Sequence, residues 1–95
     1  MDHSEKLAII EGMLYNIIRP LVDKPEAVKI SKMVNSAQNT IVFGLSVDKS
    51  DLGKVIGKNG RNANSIRILV NAVAMKAGVR VLLDIDNFEQ RRSNA

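Results

Sequence analysis

The chain has no cysteine and no tryptophan, one histidine, two prolines and only three aromatic residues in 95 positions. Without cysteine there is no disulfide framework, no thiolate metal site and no thiol nucleophile. The single histidine, His3, stands beside the N-terminus, where chains are commonly loose, so imidazole chemistry lacks a structured support. Tyr15, Phe43 and Phe88 are too few to build a surface that stacks bases on aromatic rings. No apolar run approaches the roughly 18 residues that span a bilayer. The start, Met1-Asp2-His3-Ser4-Glu5, is acidic where a signal peptide would be basic, which makes the cytosol the expected compartment. A further absence is positional. Residues 52–83 contain no Asp or Glu, yet they hold Lys54, Lys58, Arg61, Arg67, Lys76 and Arg80, a local charge of +6. The other eight basic and ten acidic residues sum to −2, which restores the overall +4 and confines the positive field to one third of the chain. Charge of this sign, with a pI near 9.7, favours a polyanionic partner.

Hydrophobic residues make up 45% and charged residues 25%, as in ordinary globular proteins, and 10.4 kDa is one domain, residues 1–95. Leu7, Ile10, Leu14, Ile17, Ile18 and Leu21 recur at spacings of three and four, which predicts a helix over 5–18, ended or kinked by Pro20. Residues 27–34 and 40–47 read as strands joined by the polar turn formers 35–39, an antiparallel hairpin. Asp48-Lys49-Ser50-Asp51 supplies helix-capping chemistry before a short helix from Leu52 to Val55 or Ile56. From 61 to 77 apolar residues occupy most of the helical circumference, leaving a polar stripe near Asn64, Arg67 and Asn71, a pattern that asks for cover on nearly every side. Gly78 suits a helix C-terminus, residues 79–85 a third strand and 87–95 a disordered tail. The expected fold is α+β, ordered α-β-β-α-α-β, with three helices over one face of a three-stranded mixed sheet whose second and third strands are parallel.

The informative stretch is Val55-Ile56-Gly57-Lys58-Asn59-Gly60-Arg61, a short apolar helix that runs through GxxG into a basic helix start. Two glycines three apart let the backbone turn sharply and let a sugar-phosphate strand approach the bare main chain. Amides at the start of the following helix, with Lys58 and Arg61, can donate to phosphate oxygens. Two glycines alone are more often a tight turn between helices; their position inside the acid-free segment changes that weighting.

In this position the sequence resembles the KH domain, whose signature is an Ile-Gly-x-x-Gly loop between two helices, and the element order matches type II. The stretch from Asp51 to Arg67, the early Arg19-Pro20-Leu21-Val22-Asp23 and the closing Val79-Arg80-Val81 resemble the small stand-alone bacterial KH proteins of the KhpA type over about residues 9–86. Asn64 and Ser65 depart from the usual pattern, and the N-terminal lead and the tail are long for that family. The resemblance implies a binder of single-stranded RNA, an accessory in post-transcriptional control, gripping about four nucleotides between the loop and an apolar groove. By position, Gly57, Lys58, Asn59 and Gly60 form the clamp, Lys54, Arg61 and Arg67 supplement phosphate binding, and Val55, Ile56, Ile66 and part of the first strand supply groove walls. Apolar side chains at helical spacing are core more often than ligand surface, for Val55 and Ile66 above all. Gly53 reads as a packing or turn glycine, and residues 35–39 correspond to the variable loop that closes one side of the groove. The resemblance also implies a homodimer, or pairing with a larger KH-containing RNA-binding protein.

Other classes fit less well. Gly53-Lys54-Val55-Ile56-Gly57-Lys58-Asn59 has three residues between its glycines where a P-loop needs four, and Asn59 where Ser or Thr should hold magnesium. A helix-turn-helix reader of DNA needs a free recognition helix, which the apolar circumference of the third helix denies. Asp84 and Asp86 share a strand face, but solvated charges explain them better than a cation site. No nucleophile, base and orienting group assemble, so neither catalysis nor a cofactor is expected. The remaining alternative is a protein-interaction module on a KH scaffold with little RNA binding of its own.

Overall fold

The computed structural model describes residues 3–85. Helix α1 (His3–Ile18) buries Ile10, Leu14 and Ile18, one residue per turn, and includes His3 in its first turn. Pro20 closes it into a single 3-10 turn, Arg19–Leu21, because proline has no amide to continue the ladder. A second such turn, Pro25–Ala27, delays strand β1 to Lys29–Asn35, two residues later than the apolar pattern predicts: the Val28 amide bonds back to the Pro25 carbonyl instead of entering the sheet. A turn at Ser36–Gln38 with Asn39 in the left-handed region leads to β2 (Thr40–Ser46). The pair is antiparallel, in register from Lys29 opposite Ser46 to Asn35 opposite Thr40.

After β2 the chain forms α2 (Leu52–Ile56), the glycine bend, α3 (Arg61–Ala77) and β3 (Arg80–Ile85), which pairs parallel to β2. Strand order is β1-β2-β3, so β1 and β3 are the two edges. Ile41, Phe43 and Leu45 alternate onto the helix-covered face of β2 beside Val81 and Ile85, and meet Ile10, Leu14, Ile18, Val55 and Val70 in one core. The opposite face carries an apolar row in register across the sheet: Met33, Val42 and Leu82.

Two expectations fail here. Helix α3 is covered along one stripe only, Ala63, Ile66, Val70 and Ala74, while Ile68, Leu69 and Met75 are 60%, 51% and 80% exposed. The sheet and its two packed neighbours, α1 and α2, bury only the inner side of α3 in a domain this small, whatever its sequence pattern. Gly53 makes no packing contact and no turn: a Cβ there would meet nothing within 4 Å, and its φ is not positive. The tail 87–95 and Asp86 lie outside the described residues. Among the described residues no helix is long and apolar enough to cross a membrane.

Candidate nucleic-acid interface

Helix α2 stops at Gly57, whose amide bonds to the Gly53 carbonyl at 2.8 Å. Gly57 takes φ 77°, ψ 170°, a conformation essentially confined to glycine. The bend continues through Asn59 (φ 58°, ψ 26°) and Gly60 (φ 75°, ψ 15°), both left-handed. Three positive-φ residues in four reverse the chain direction within one short loop, whose Gly60 amide bonds to the Gly57 carbonyl at 3.1 Å. Asn62 fastens the loop from inside: its Nδ2 donates to the Lys54 carbonyl at 2.8 Å, capping the end of α2. Sequence reading missed Asn62, whose signal was an amide side chain two residues beyond the second glycine.

Lys58 and Asn59 stand exposed at the tip, and no side chain caps the N-terminus of α3. A helix start without a side-chain acceptor, next to exposed cationic and amide side chains, favours an anion. Arg61 is exposed at the first position of α3. Arg67, six residues or about 9 Å further along the axis, donates from Nε to the Leu83 carbonyl at 3.3 Å. It lines a cleft of about 170 Å³ between α3 and β3, together with Val70, Asn71, Leu82 and Leu83.

Several expected site residues lie elsewhere. Val55 and Ile66 are 0% and 3% exposed, so they are core and have no surface to offer a base. Ile56 is half-buried against the core. The strand beside α3 is β3, not β1, because the parallel crossover puts β1 at the far edge of the sheet. The 36–39 turn is tied by the Asn39 side-chain amide to the Gly78 carbonyl, at the other end of a 17-residue helix, about 25 Å from the glycine bend. It cannot flank the clamp.

Lys54 is already engaged. Its Nζ lies 2.9 Å from Asp23 Oδ2 and 3.1 Å from Asp51 Oδ1. Within the Asp48–Asp51 stretch, Asp48 takes the Ser50 amide, whereas Asp51, directly before α2, turns its fully buried carboxylate to the amides of Asp23 and Lys24 at 3.1 and 3.0 Å. Burial works to raise the Asp51 carboxyl, but the Asp23 amide, the Lys54 ammonium and the Lys24 amide outweigh it and hold the group below the ordinary carboxylate value. The Asp23 carboxylate first, and then that of Asp51, push the Lys54 ammonium upward. Ser50 likewise lowers the Asp48 carboxyl. The acid-free segment is therefore not one basic face: Lys54 is neutralised by carboxylates from outside it, Lys58, Arg61 and Arg67 follow the bend and cleft, and Lys76 lines a groove between α3 and α1. Among the described residues no group of three or more His, Cys, Asp or Glu could hold a metal.

A protein-family model described as KhpA/KhpB, KH domain, matches residues 11–85. "RNA-binding protein KhpA" of Chlamydia pneumoniae is 48% identical over 76 residues, covering 80% of this chain and 95% of that one. The protein of the same name from Listeria monocytogenes is 42% identical over 80% of this chain and 97% of its own. That of Caldanaerobacter subterraneus is 41% identical over 77% and 95%. With the α-β-β-α-α-β order, the mixed sheet and the glycine bend all in place, the chain belongs to the KhpA/KhpB KH-domain family.

Proposed function

We propose that this chain binds single-stranded RNA, holding the sugar-phosphate backbone at Gly57, Lys58, Asn59 and Gly60, with Arg61 and Arg67 as further phosphate donors. The observation that carries this reading is the outward glycine bend, with Lys58 and Asn59 exposed over the uncapped start of α3. That its relatives are named RNA-binding proteins supports it. Bases would lie in the cleft beside Arg67, Asn71 and Leu82, while Val55 and Ile66 support the loop from within. A grip on phosphates carries no base identity, so binding is broad, which suits an accessory role in post-transcriptional control in the cytosol. One such clamp is weak, and pairing with a second KH-bearing chain, as homodimer or heterodimer, would raise avidity.

Replacing Lys58 and Asn59 by Asp, then titrating fluorescent single-stranded RNA, tests the reading. Binding should weaken by at least about ten-fold with an unchanged circular dichroism melt, because both side chains are exposed. Unchanged affinity would refute the clamp. No binding by the parent chain would refute RNA binding and favour the interaction-module reading, for which the exposed apolar surface of α3 is the supporting feature.

A further inference from the structure

Helix α2 has five residues, so its closing carbonyls have no later turn to bond them. The Gly53 carbonyl is met by the Gly57 amide at 2.8 Å, and the next one, that of Lys54, by Asn62 Nδ2 at 2.8 Å from the far side of the bend. Asn62 is half-buried at the second position of α3 and lies against Gly57, where a Cβ would come within 2.7 Å of its Cγ. Gly60 has no such support: the space where its Cβ would stand is open to 4 Å, and its amide is held by the Gly57 carbonyl at 3.1 Å. Lys54 is fixed from the other side as well, because its ammonium bonds Asp23 and Asp51, and Asp51 accepts the amides of Asp23 and Lys24. The bend is therefore tied to residues 23–24 by a continuous series of contacts through Asp51, Lys54 and Asn62.

The bend asks Gly57, Asn59 and Gly60 to hold positive φ together, a backbone path that persists when its surroundings over-determine it. The Asn62 bridge supplies such a constraint by joining the last turn of α2 to the first turn of α3 across the bend. We infer that Asn62 is a positioning residue of the RNA clamp: by donating to the Lys54 carbonyl it holds the two helices at the angle in which Lys58, Asn59 and the first amides of α3 face one strand together. This rests on the RNA-binding reading above and adds to it a residue that itself touches no RNA, since its donor is spent on the carbonyl behind the bend. Asparagine suits the task because it carries an N–H donor on a short, branched side chain, whereas leucine has the same branched outline and no donor. When the bridge is lost, the binding-competent bend is a smaller fraction of the free chain, and the apparent affinity falls with that fraction.

The test compares Asn62→Ala and Asn62→Leu with the parent chain at a temperature well below every Tm. Fluorescent single-stranded RNA should bind each variant about five-fold more weakly, the effect of one net hydrogen bond, with an unchanged slope of log affinity against log salt, because the phosphate contacts are kept. In the RNA-free chains, hydrogen exchange at the Gly60 amide, whose bond to the Gly57 carbonyl closes the bend, should quicken by about five-fold or more, and by more than at the core amides of β2. A merely structural role would lower Tm and speed exchange throughout the core while leaving the affinity of the folded chain at the parent value. Should Asn62→Ala not fold, Asn62→Leu carries the same comparison. Parent-level affinity in both variants overturns the inference and leaves the clamp standing. So does weakened binding with Gly60 exchange unchanged, which would make Asn62 a direct RNA contact, and so does parent-level binding by Asn62→Leu alone, because bulk rather than the donor would then hold the bend. A parent chain that binds no RNA refutes the RNA-binding reading itself, which tells the two failures apart.

Discussion

The backbone of Gly57 lies against that of Asn62 so closely that a Cβ on Gly57 would come within 2.8 Å of the Asn62 nitrogen, whereas a Cβ on Gly60 would meet nothing within 4 Å. The two glycines of the bend are therefore held by different constraints. Gly57→Ala combines a forbidden backbone region with a main-chain collision and should cost about 2–4 kcal/mol. Gly60 needs only the left-handed conformation, which asparagine tolerates, so Gly60→Asn should change stability by under about 1 kcal/mol while placing a side chain where RNA would lie. Thermal melts beside RNA titrations check the pair: Gly57→Ala lowers Tm, and Gly60→Asn weakens binding at nearly unchanged Tm.

Lys54 and Lys58 are four residues apart and differ in kind. Lys54→Met strips the buried Asp51 carboxylate of its cation and should lower Tm while leaving the salt dependence of RNA binding unaltered. Lys58→Met should leave Tm in place and remove one phosphate contact. If about three phosphates are held, log affinity falls against log salt with a slope of roughly −2, and Lys58→Met reduces that slope by about 0.7. A parent slope near −6 would indicate a diffuse basic face.

Acid should unfold the protein through the same network. Asp48 and Asp51 have folded-state pKa values below their unfolded ones, so their contribution is complete above the unfolded carboxylate value of about 4 and is lost as pH falls through the lower folded values. Lys54 is raised, so its contribution is present below the unfolded lysine value and disappears only as strong alkali titrates the folded form. These three groups leave Tm flat between pH 5 and 8, roughly, with a decline below about pH 4. Asp51→Asn should lower Tm at neutral pH and flatten that decline, as melts across a pH series would register.

Gly12 and Gly53 both lie in right-handed helices with open space where a Cβ would go. Gly12→Ala and Gly53→Ala should each raise stability by about 0.5–1 kcal/mol through helix propensity. Denaturant midpoints at constant m would establish it; a loss of stability in either variant would mean that the exposed helix face is engaged.

What could be read in advance was whatever depends on neighbours along the chain. Ile10, Leu14 and Ile18 announce α1 by spacing alone, Ile41, Phe43 and Leu45 announce β2, and Gly57 with Gly60 announces the bend. Asp51 shows the opposite case. Its local position suggests a helix cap, but its carboxylate joins amides 27 and 28 residues earlier, and no local pattern encodes that preference. Val55 and Ile66 fit groove and core equally well as residue types; which one they join depends on the packing of α2 and α3 over the sheet. Leu82, by contrast, sits in a run that reads as buried and ends on the exposed face, because strand alternation alone does not say which face the helices cover.

The elements, their order and the site of the sharp bend follow from periodicity, glycine geometry and capping, which are short-range properties of the chain. That β3 rather than β1 stands beside the cleft, that Lys54 is neutralised while Lys58 is available, and that one side of α3 stays bare are outcomes of the folded arrangement. Each of those outcomes depends on which distant segments come into contact, and burial and ion pairing are settled by that contact rather than by the residue alone.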